Sequence, residues 1–167
     1  MKPLIMWIMF FSVFFFSCSE SSTEPETDLT SSITPSEQTV GLDIEATFSV
    51  EIENIADLFA FSCEIVFDST LVTLPENPLT IGSFWSADYI STSISDNDRL
   101  NIAIGLEQSS GIDGLSGNGV LFDFRVKGIQ FGSSSLTFEN ITLINDEGEP
   151  VDGFDNITLS DGLIIIQ

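Results

Sequence analysis

Two stretches of alternating apolar and polar residues occupy the chain between Gly41 and Leu71. Apolar residues take every second position over residues 42–52, and Asp, Glu, Ser and Thr lie between them. A second alternation covers residues 59–67, after the link 54–57. Successive side chains of a strand point to opposite faces, so this pattern predicts two strands with one buried face each. Asp68 follows the second strand and is predicted to close a turn with its carboxylate.

The rest of the chain repeats short segments rich in Phe, Ile, Val and Thr, without a helical period outside the N-terminus. Gly, Asn and Asp separate these segments and predict turns at residues 68–69, 77–78, 96–98, 117–119, 131–133, 146–148 and 161–162. The pattern predicts an all-β domain of about nine strands, arranged as a β-sandwich or jelly roll. The phase of the alternation changes between Phe138 and Ile141, which indicates a β-bulge or kink.

The N-terminus has the pattern of a secretory signal. Lys2 precedes an apolar run over residues 4–16 that ends at Ser17 and Cys18. This run is shorter than the about 20 residues that a membrane-spanning helix needs. Residues 15–18 (FFSC) resemble a bacterial lipobox, with Phe where Leu and Ala or Ser are commoner. We predict a signal peptide over residues 1–17 and lipidation of Cys18; an ordinary secretory signal and a short N-terminal anchor are the alternatives.

Residues 19–32 consist almost entirely of Ser, Glu, Thr, Asp and Pro. Such a segment cannot bury enough apolar surface to offset its chain entropy. We therefore predict a disordered tether over residues 18–32, followed by one folded domain over residues 33–167. The expected location is the bacterial cell envelope, where the lipid anchor provides the only membrane contact and the domain is surface-exposed or faces the periplasm.

Charge narrows the choice of partners. The chain has 26 Asp and Glu residues against 4 Lys and Arg, a formal net charge of −22. Nucleic acid is excluded as a partner because its binding requires basic residues to neutralise phosphates. A basic or calcium-loaded partner would be attracted, whereas the alternative is that the acidity only supports solubility.

Catalytic constellations are poorly represented, and we predict that the protein is not an enzyme. The chain has no His, which excludes Ser-His-Asp and Cys-His chemistry and histidine metal sites. Cys63 lies on the apolar face of its predicted strand, which favours an inert core thiol over a nucleophile. The carboxylates lie on solvent-facing strand positions and turns, and nothing pairs two of them across a cleft.

Calcium is the one cofactor for which the sequence offers candidate ligands. Residues 96–98 (DND) and 145–148 (NDEG) each bring oxygen ligands together, as a hard cation requires. Neither has the spacing of an EF-hand loop, and Asp and Asn favour turns for backbone reasons alone. The sequence therefore predicts no cofactor, with calcium as the alternative that is not favoured.

The order of segments along the chain resembles that of cohesin modules over residues 34–167. After the alternating strand from Gly41, the resembling segments are residues 54–59 (NIADLF), 67–71 (FDSTL), 81–84 (IGSF), 100–105 (LNIAIG), 114–122 (GLSGNGVLF), 124–128 (FRVKG) and 145–151 (NDEGEPV). Each segment alone is a generic β-turn signal, and their common order is what identifies the resemblance. It implies a nine-stranded β-sandwich of jelly-roll topology.

The resemblance also implies a function. A cohesin-like module would capture a dockerin-like module of another secreted protein in extracellular polysaccharide degradation, as a monomer without catalytic activity. In cohesins the partner docks on one flat sheet face, on strands that here resemble residues 59–67, 89–95, 100–106 and 136–143. If the apolar residues point inward, the outward positions on three of these strands are Ser62, Glu64, Ser91, Ser93, Asn101 and Ala103.

Two alternative functions remain open on the sequence alone. Trp85 and Tyr89 are four residues apart, and exposed aromatic residues on such a sandwich can stack against sugar rings. Direct polysaccharide binding through these two residues is therefore one alternative, although a role for Trp85 in capping the core is the favoured interpretation. A structural, adhesin-like domain is the other.

Overall fold

The computed structural model describes residues 28–85, 88–107 and 113–167, and this part of the chain is a sandwich of two six-stranded sheets. The first sheet has the order β11-β1-β3-β9-β5, with β6 also paired to β9, and the second has the order β2-β12-β10-β4-β8-β7. The strands are β1 (Thr30–Thr34), β2 (Glu37–Val40), β3 (Glu45–Leu58), β4 (Ala60–Val66), β5 (Val72–Thr73), β6 (Leu79–Ile81), β7 (Tyr89–Ser95), β8 (Arg99–Leu106), β9 (Leu115–Gly128), β10 (Gly132–Ile144), β11 (Thr158–Ser160) and β12 (Gly162–Ile166). The predicted all-β sandwich is confirmed.

The described residues form twelve strands, whereas the sequence predicts about nine. Two of the additional strands, β5 and β6, have only two and three residues and pair with β9. The others arise because the first and last segments of the domain each contribute to both sheets. In the first segment β1 joins the first sheet and β2 the second; in the last segment β11 joins the first sheet and β12 the second. A 3-10 turn, Phe154–Asn156, precedes β11. No helix of the described residues is long and apolar enough to cross a membrane.

Aromatic side chains join the two sheets in the core. Phe48 on β3 stacks on Phe124 of the neighbouring β9, with ring centroids 5.8 Å apart. Phe61 on β4 in the second sheet packs against Phe122 on β9, with ring centroids 6.0 Å apart. All four rings are fully buried. The inward residues of β4, β8 and β10 continue this core, as the alternating burial of each strand indicates.

The first predicted strand begins later than expected. Leu42 and Ile44 are 40% and 55% exposed, although the alternation predicts that both are buried. The Ile44 N–H donates to the Gly41 carbonyl, and Asp43 has a φ of 63°, so these residues form a turn and β3 begins at Glu45. The Asp43 carboxylate pairs with the Lys127 ammonium group at 3.0 Å, which fixes this turn against β9.

Two segments predicted as connections lie inside the long strands instead, the link at residues 54–57 and the turn at residues 117–119. The link 54–57 belongs to β3 and residues 117–119 belong to β9, and the register between the strands shifts at this point. Asn54 and Asp57 have φ angles of 61° and 59°, so their backbone groups leave the regular ladder. Polar side chains of β9 replace the lost bonds: Asn118 accepts the Asn54 N–H at 2.7 Å, and Ser116 accepts the Asp57 N–H at 3.0 Å.

The predicted irregularity of β10 and the predicted turn at Asp68 are both confirmed. The register between β10 and β4 shifts between Glu139 and Thr142, where Asn140 has a φ of 48°. At the end of β4, Asp68 Oδ1 accepts the Thr70 hydroxyl at 2.7 Å and the Thr70 N–H at 2.9 Å. These two bonds lower the pKa of the Asp68 carboxyl.

The folded domain begins before the predicted boundary at residue 33. Leu29 is buried, and Thr30–Thr34 forms β1 between β3 and β11. Ser31 explains why a polar segment can join the sheet: its hydroxyl is buried and donates to the Glu51 carbonyl at 3.1 Å. The predicted signal peptide, Cys18 and most of the predicted tether lie outside the described residues.

Cys63 on β4 is buried, as predicted, and its thiol is free. Loss of hydration in the core, with a smaller contribution from the Glu64 carboxylate, raises the pKa of this thiol far above its ordinary value. Cys63→Ser should lower the free energy of unfolding by roughly 1–3 kcal/mol, because it buries a hydroxyl without a partner. Chemical denaturation measures this change, and Ser62→Ala, on the opposite face of the same strand, should change it by less than about 0.5 kcal/mol. Rapid labelling of the native thiol by a bulky reagent would contradict its place in the core.

Candidate functional site

The outward surface of β10, β4, β8 and β7 combines small, apolar, hydroxyl and acidic side chains in register. Directly paired residues of antiparallel strands share a face, so the register defines three rows that cross all four strands. The apolar row is Ile144, Ala60, Gly105 and Ile90; the hydroxyl row is Thr142, Ser62, Ala103 and Thr92; the acidic row is Glu139, Glu64, Asn101 and Ile94. We call these three rows together the four-stranded face.

The hydroxyl row forms the floor of this face. Two shallow depressions of about 370 Å³ and about 250 Å³ adjoin each other, and both are lined by Ser62, Ala103 and Thr92. These side chains are small, so the centre of the face is low and nearly flat. Ile90 and Ile94 stand at its edge on β7 and are 64% and 65% exposed. The face therefore offers apolar surface beside hydroxyl groups, with no deep pocket.

The acidic row has an ion pair at its centre. Glu139 and Glu64 are directly opposite on β10 and β4, which places two carboxylates side by side. Arg99 Nη1 lies 2.6 Å from Glu64 Oε2, and Arg99 Nε lies 3.3 Å from Asp98 Oδ1. The bonds to Asp98 and Glu64 raise the pKa of the Arg99 guanidinium. Arg99 therefore offsets part of the carboxylate charge at this end of the face, whereas Glu139 is exposed and makes no ion pair with any described residue.

Four of the six predicted docking residues lie on the four-stranded face, namely Ser62, Glu64, Asn101 and Ala103. Ser91 and Ser93 do not, and that part of the prediction is wrong. They pair with Ile104 and Ile102, whose side chains are buried in the core, so they point to the opposite side of the sheet.

The prediction failed on β7 because every residue of this edge strand is exposed. The alternation Ile-Ser-Thr-Ser-Ile suggests that the isoleucines point inward, but the register turns Ile90 and Ile94 outward. The sequence reasoning therefore missed Ile90, Thr92 and Ile94 as residues of the face. Pairing with β8 supplies the missing information, since Thr92 lies directly opposite Ala103.

Trp85 and Tyr89 do not form an exposed aromatic platform. Trp85 is only 5% exposed, and its indole N–H donates to the Leu121 carbonyl at 3.0 Å. Its ring meets Phe84 edge to face, with centroids 5.7 Å apart. The predicted role in capping the core is confirmed. Tyr89 pairs with buried Leu106 and lies on the side of the sheet opposite to the four-stranded face. The residues proposed for sugar binding therefore do not act as a pair.

Each of the two candidate calcium segments uses one side-chain oxygen for its own turn. Asn145 Oδ1 accepts the N–H groups of Glu147 and Glu149, and Asp96 Oδ1 accepts the N–H of Asn97. Partial loss of hydration and the neighbouring Asp57 carboxylate raise the pKa of Asp146. Within residues 28–85, 88–107 and 113–167, no group of three or more acidic or Cys side chains is arranged to hold a metal ion.

No family model matches the sequence, and no curated protein sequence matches it. Solved structures do match. The non-cellulosomal cohesin from the hyperthermophilic archaeon Archaeoglobus fulgidus has a TM-score of 0.67 at 17% identity, over 84% of this chain and 92% of that one. The sixth cohesin from scaffoldin B of Acetivibrio cellulolyticus, solved in complex with a Cel5 dockerin, has a TM-score of 0.67 at 12% identity, over 84% of this chain and 100% of that one.

A third match is the cohesin of OlpA from Clostridium thermocellum, solved in complex with the dockerin Doc918. It has a TM-score of 0.65 at 17% identity, over 84% of this chain and 100% of the other. The domain therefore has the fold of cohesins, which confirms the fold that the sequence resemblance implies. The predicted docking strands, β4, β7, β8 and β10, are neighbours in one sheet of this fold.

Proposed function

We propose that this domain is a non-catalytic, cohesin-like binding module that captures a dockerin-like module of a second protein on its four-stranded face. The observation that carries this proposal is the row of small side chains across four strands, with Ser62 and Ala103 at its centre. The cohesins of similar fold from Acetivibrio cellulolyticus and Clostridium thermocellum were solved in complex with dockerins, which supports a partner of that kind.

The shape of the face suits another protein better than a small molecule. Rows two residues apart on strands about 4.8 Å apart give a centre of about 14 Å by 14 Å. A stable interface buries about 800 Å² on each partner, so a docked protein would also cover the surrounding strands. Interfaces of this kind combine an apolar core with a polar rim. The apolar row, in which Ile90 is exposed and Ile144 is half-buried, would supply apolar surface for such a core, and Glu139 and Asn101 would belong to the rim.

The chemistry of the chain supports binding rather than catalysis. The chain has no His, and the Cys63 thiol is buried in the core with a raised pKa. A buried protonated thiol cannot serve as a nucleophile. The ion pair of Arg99 with Glu64 lies on an open surface, where no enclosed pocket excludes water.

We further propose that the module works outside the cytoplasm, lipid-anchored through Cys18 and serving extracellular polysaccharide degradation. The apolar run over residues 4–16 and the lipobox-like residues 15–18 support the anchor. Several acyl chains would hold the protein firmly, since each buried methylene contributes about 0.8 kcal/mol. The folded domain begins near Leu29, so a segment of ten residues, 19–28, would separate the anchor from the sandwich.

Ala103→Arg tests the docking face. The substitution places a long charged side chain on the flat floor of the face and should weaken binding of the partner by about 30-fold or more, a hot-spot loss of about 2 kcal/mol. Proteins captured from culture supernatant by the immobilised protein, with calcium and with a chelator, would be identified and their affinities measured. Because Ala103 points into solvent, the free energy of unfolding should change by less than about 0.5 kcal/mol.

Ser93→Arg is the matched control for Ala103→Arg. It adds the same side chain on the neighbouring strand, but on the side of the sheet opposite to the four-stranded face. Binding should survive this change. Equal losses in both variants, or unchanged binding in both, would contradict the assignment of the face. Binding to insoluble polysaccharide without any captured protein would replace the proposed function with carbohydrate binding.

Cys18→Ser tests the anchor. Without the acylated thiol the protein should move from the membrane fraction to the soluble fraction, and metabolic labelling with a radioactive fatty acid should disappear. Cys63→Ser is the control, because its thiol is buried and should not be acylated. A Cys18→Ser protein that stays with the membrane and keeps its uncleaved N-terminus would contradict the lipoprotein assignment.

A further inference from the structure

β7 is the most open strand of the second sheet. All seven of its residues are exposed, it pairs with β8 on one side only, and no described strand pairs with its other side. The remaining outer strands of the described sheets are shorter: β2 has four residues including Glu37, β6 and β11 have three each and β5 has two. Natural proteins protect such edges with short strands, charges or proline. β7 has none of these features.

The register identifies the backbone groups that face away from β8. The Asp96 N–H donates to the Arg99 carbonyl, and the Glu107 N–H donates to the Asp88 carbonyl, both at 2.9 Å. Along an antiparallel strand, the backbone N–H and C=O groups of one residue point toward the partner strand, and those of the next residue point away from it. The even-numbered residues of β7 therefore bond to β8. The N–H and C=O groups of Tyr89, Ser91, Ser93 and Ser95 point to the open edge, a row of eight hydrogen-bonding groups about 20 Å long.

The negative charges that flank the open edge of β7 determine which kind of partner segment would be attracted to it. β7 itself has no charged residue, but Asp88 precedes it, and Asp96 and Asp98 follow it. Pairing of two copies through β7 would place Asp88 beside Asp88 in a parallel arrangement or beside Asp96 in an antiparallel one. The whole chain also has a net charge of −22, so a second copy would be repelled. A strand with basic residues at both ends would be attracted in either direction.

We propose that the open edge of β7 is a second binding site, which adds an extended segment of a partner protein as a further strand of the second sheet. That segment would have an uncharged, β-forming centre and basic residues at both ends. Main-chain hydrogen bonds supply the affinity in this mode of recognition, and the flanking charges supply the preference. The site is independent of the four-stranded face, because its bonds lie in the plane of the sheet whereas the face is perpendicular to it.

The probe is a synthetic peptide, Lys-Lys-Thr-Val-Thr-Val-Thr-Lys-Lys, added to the full chain. Residue-resolved hydrogen exchange should show fast exchange at Tyr89, Ser91, Ser93 and Ser95 without peptide, and slower exchange at these four amides with it. The same peptide with Glu in place of Lys should bind at least about tenfold more weakly, because the Glu residues at its ends would be repelled by Asp88 and Asp96. Slow exchange of the four amides in the peptide-free chain would mean that the edge is already paired and would overturn the proposal.

Ser93→Pro tests the edge directly. It removes an N–H that faces away from β8 and leaves the bonds to β8 in place, which is the setting in which an edge strand tolerates proline. The variant should unfold as cooperatively as the parent and lose peptide binding at least tenfold, whereas Ser93→Thr keeps the N–H and should retain binding. Equal binding by both variants, or protection that maps to Thr92 and Ala103 instead, would overturn the edge site. Neither result would affect the docking face, which is tested with Ala103→Arg.

Discussion

The packing of the two sheets against each other is the contact on which the rest of the molecule depends. Phe61 on β4 reaches across to Phe122 on β9, which is itself beside Phe124 at 6.2 Å between ring centroids. Such aromatic contacts bury large areas and fix the inward phase of each strand. Once Phe61 and Cys63 point into the core, Ser62 and Glu64 must point to solvent. The composition of the four-stranded face is therefore a consequence of core packing.

Sequence reasoning was most successful where a strand has one buried and one exposed face. The alternation on β4 and β8 predicts both the core residues, such as Cys63 and Ile102, and the outward residues Ser62 and Ala103. The bulge near Asn140 was also predictable, because it changes the phase of the apolar pattern itself. In each of these cases a single local signal, burial on one face, determines the geometry.

The failures have a different physical origin. β7 has no buried face, so its sequence does not encode which residues point outward, and only pairing with β8 decides this. Leu42 and Ile44 extend the alternating pattern to positions before the first residue of β3. They are not part of the strand, because Asp43 with its positive φ forms a turn there. Asn54 and Asp57 look like turn residues and instead bond to side chains of β9, more than fifty residues away along the chain. Long-range pairing is the information that a local pattern lacks.

β7 gives the molecule two surfaces with different chemistry. Its outward side chains, Ile90, Thr92 and Ile94, extend the four-stranded face, while its outer backbone groups form an open edge. A partner on the face would bury side chains, and a partner on the edge would extend the sheet. The two can act together or separately, since one strand serves both without sharing the same groups.

The location of the partner's footprint tests the docking face most directly. Residue-resolved hydrogen exchange of the full chain, free and bound to the protein that it captures from culture supernatant, would locate this footprint. Docking on the four-stranded face predicts the largest protection on β4, β8 and β7, centred on Ser62, Ala103 and Thr92, with little change on the first sheet. Protection centred on the outward residues of β3 and β9, such as Ser49 and Asp123, would place the partner on the opposite side of the sandwich and contradict the docking face.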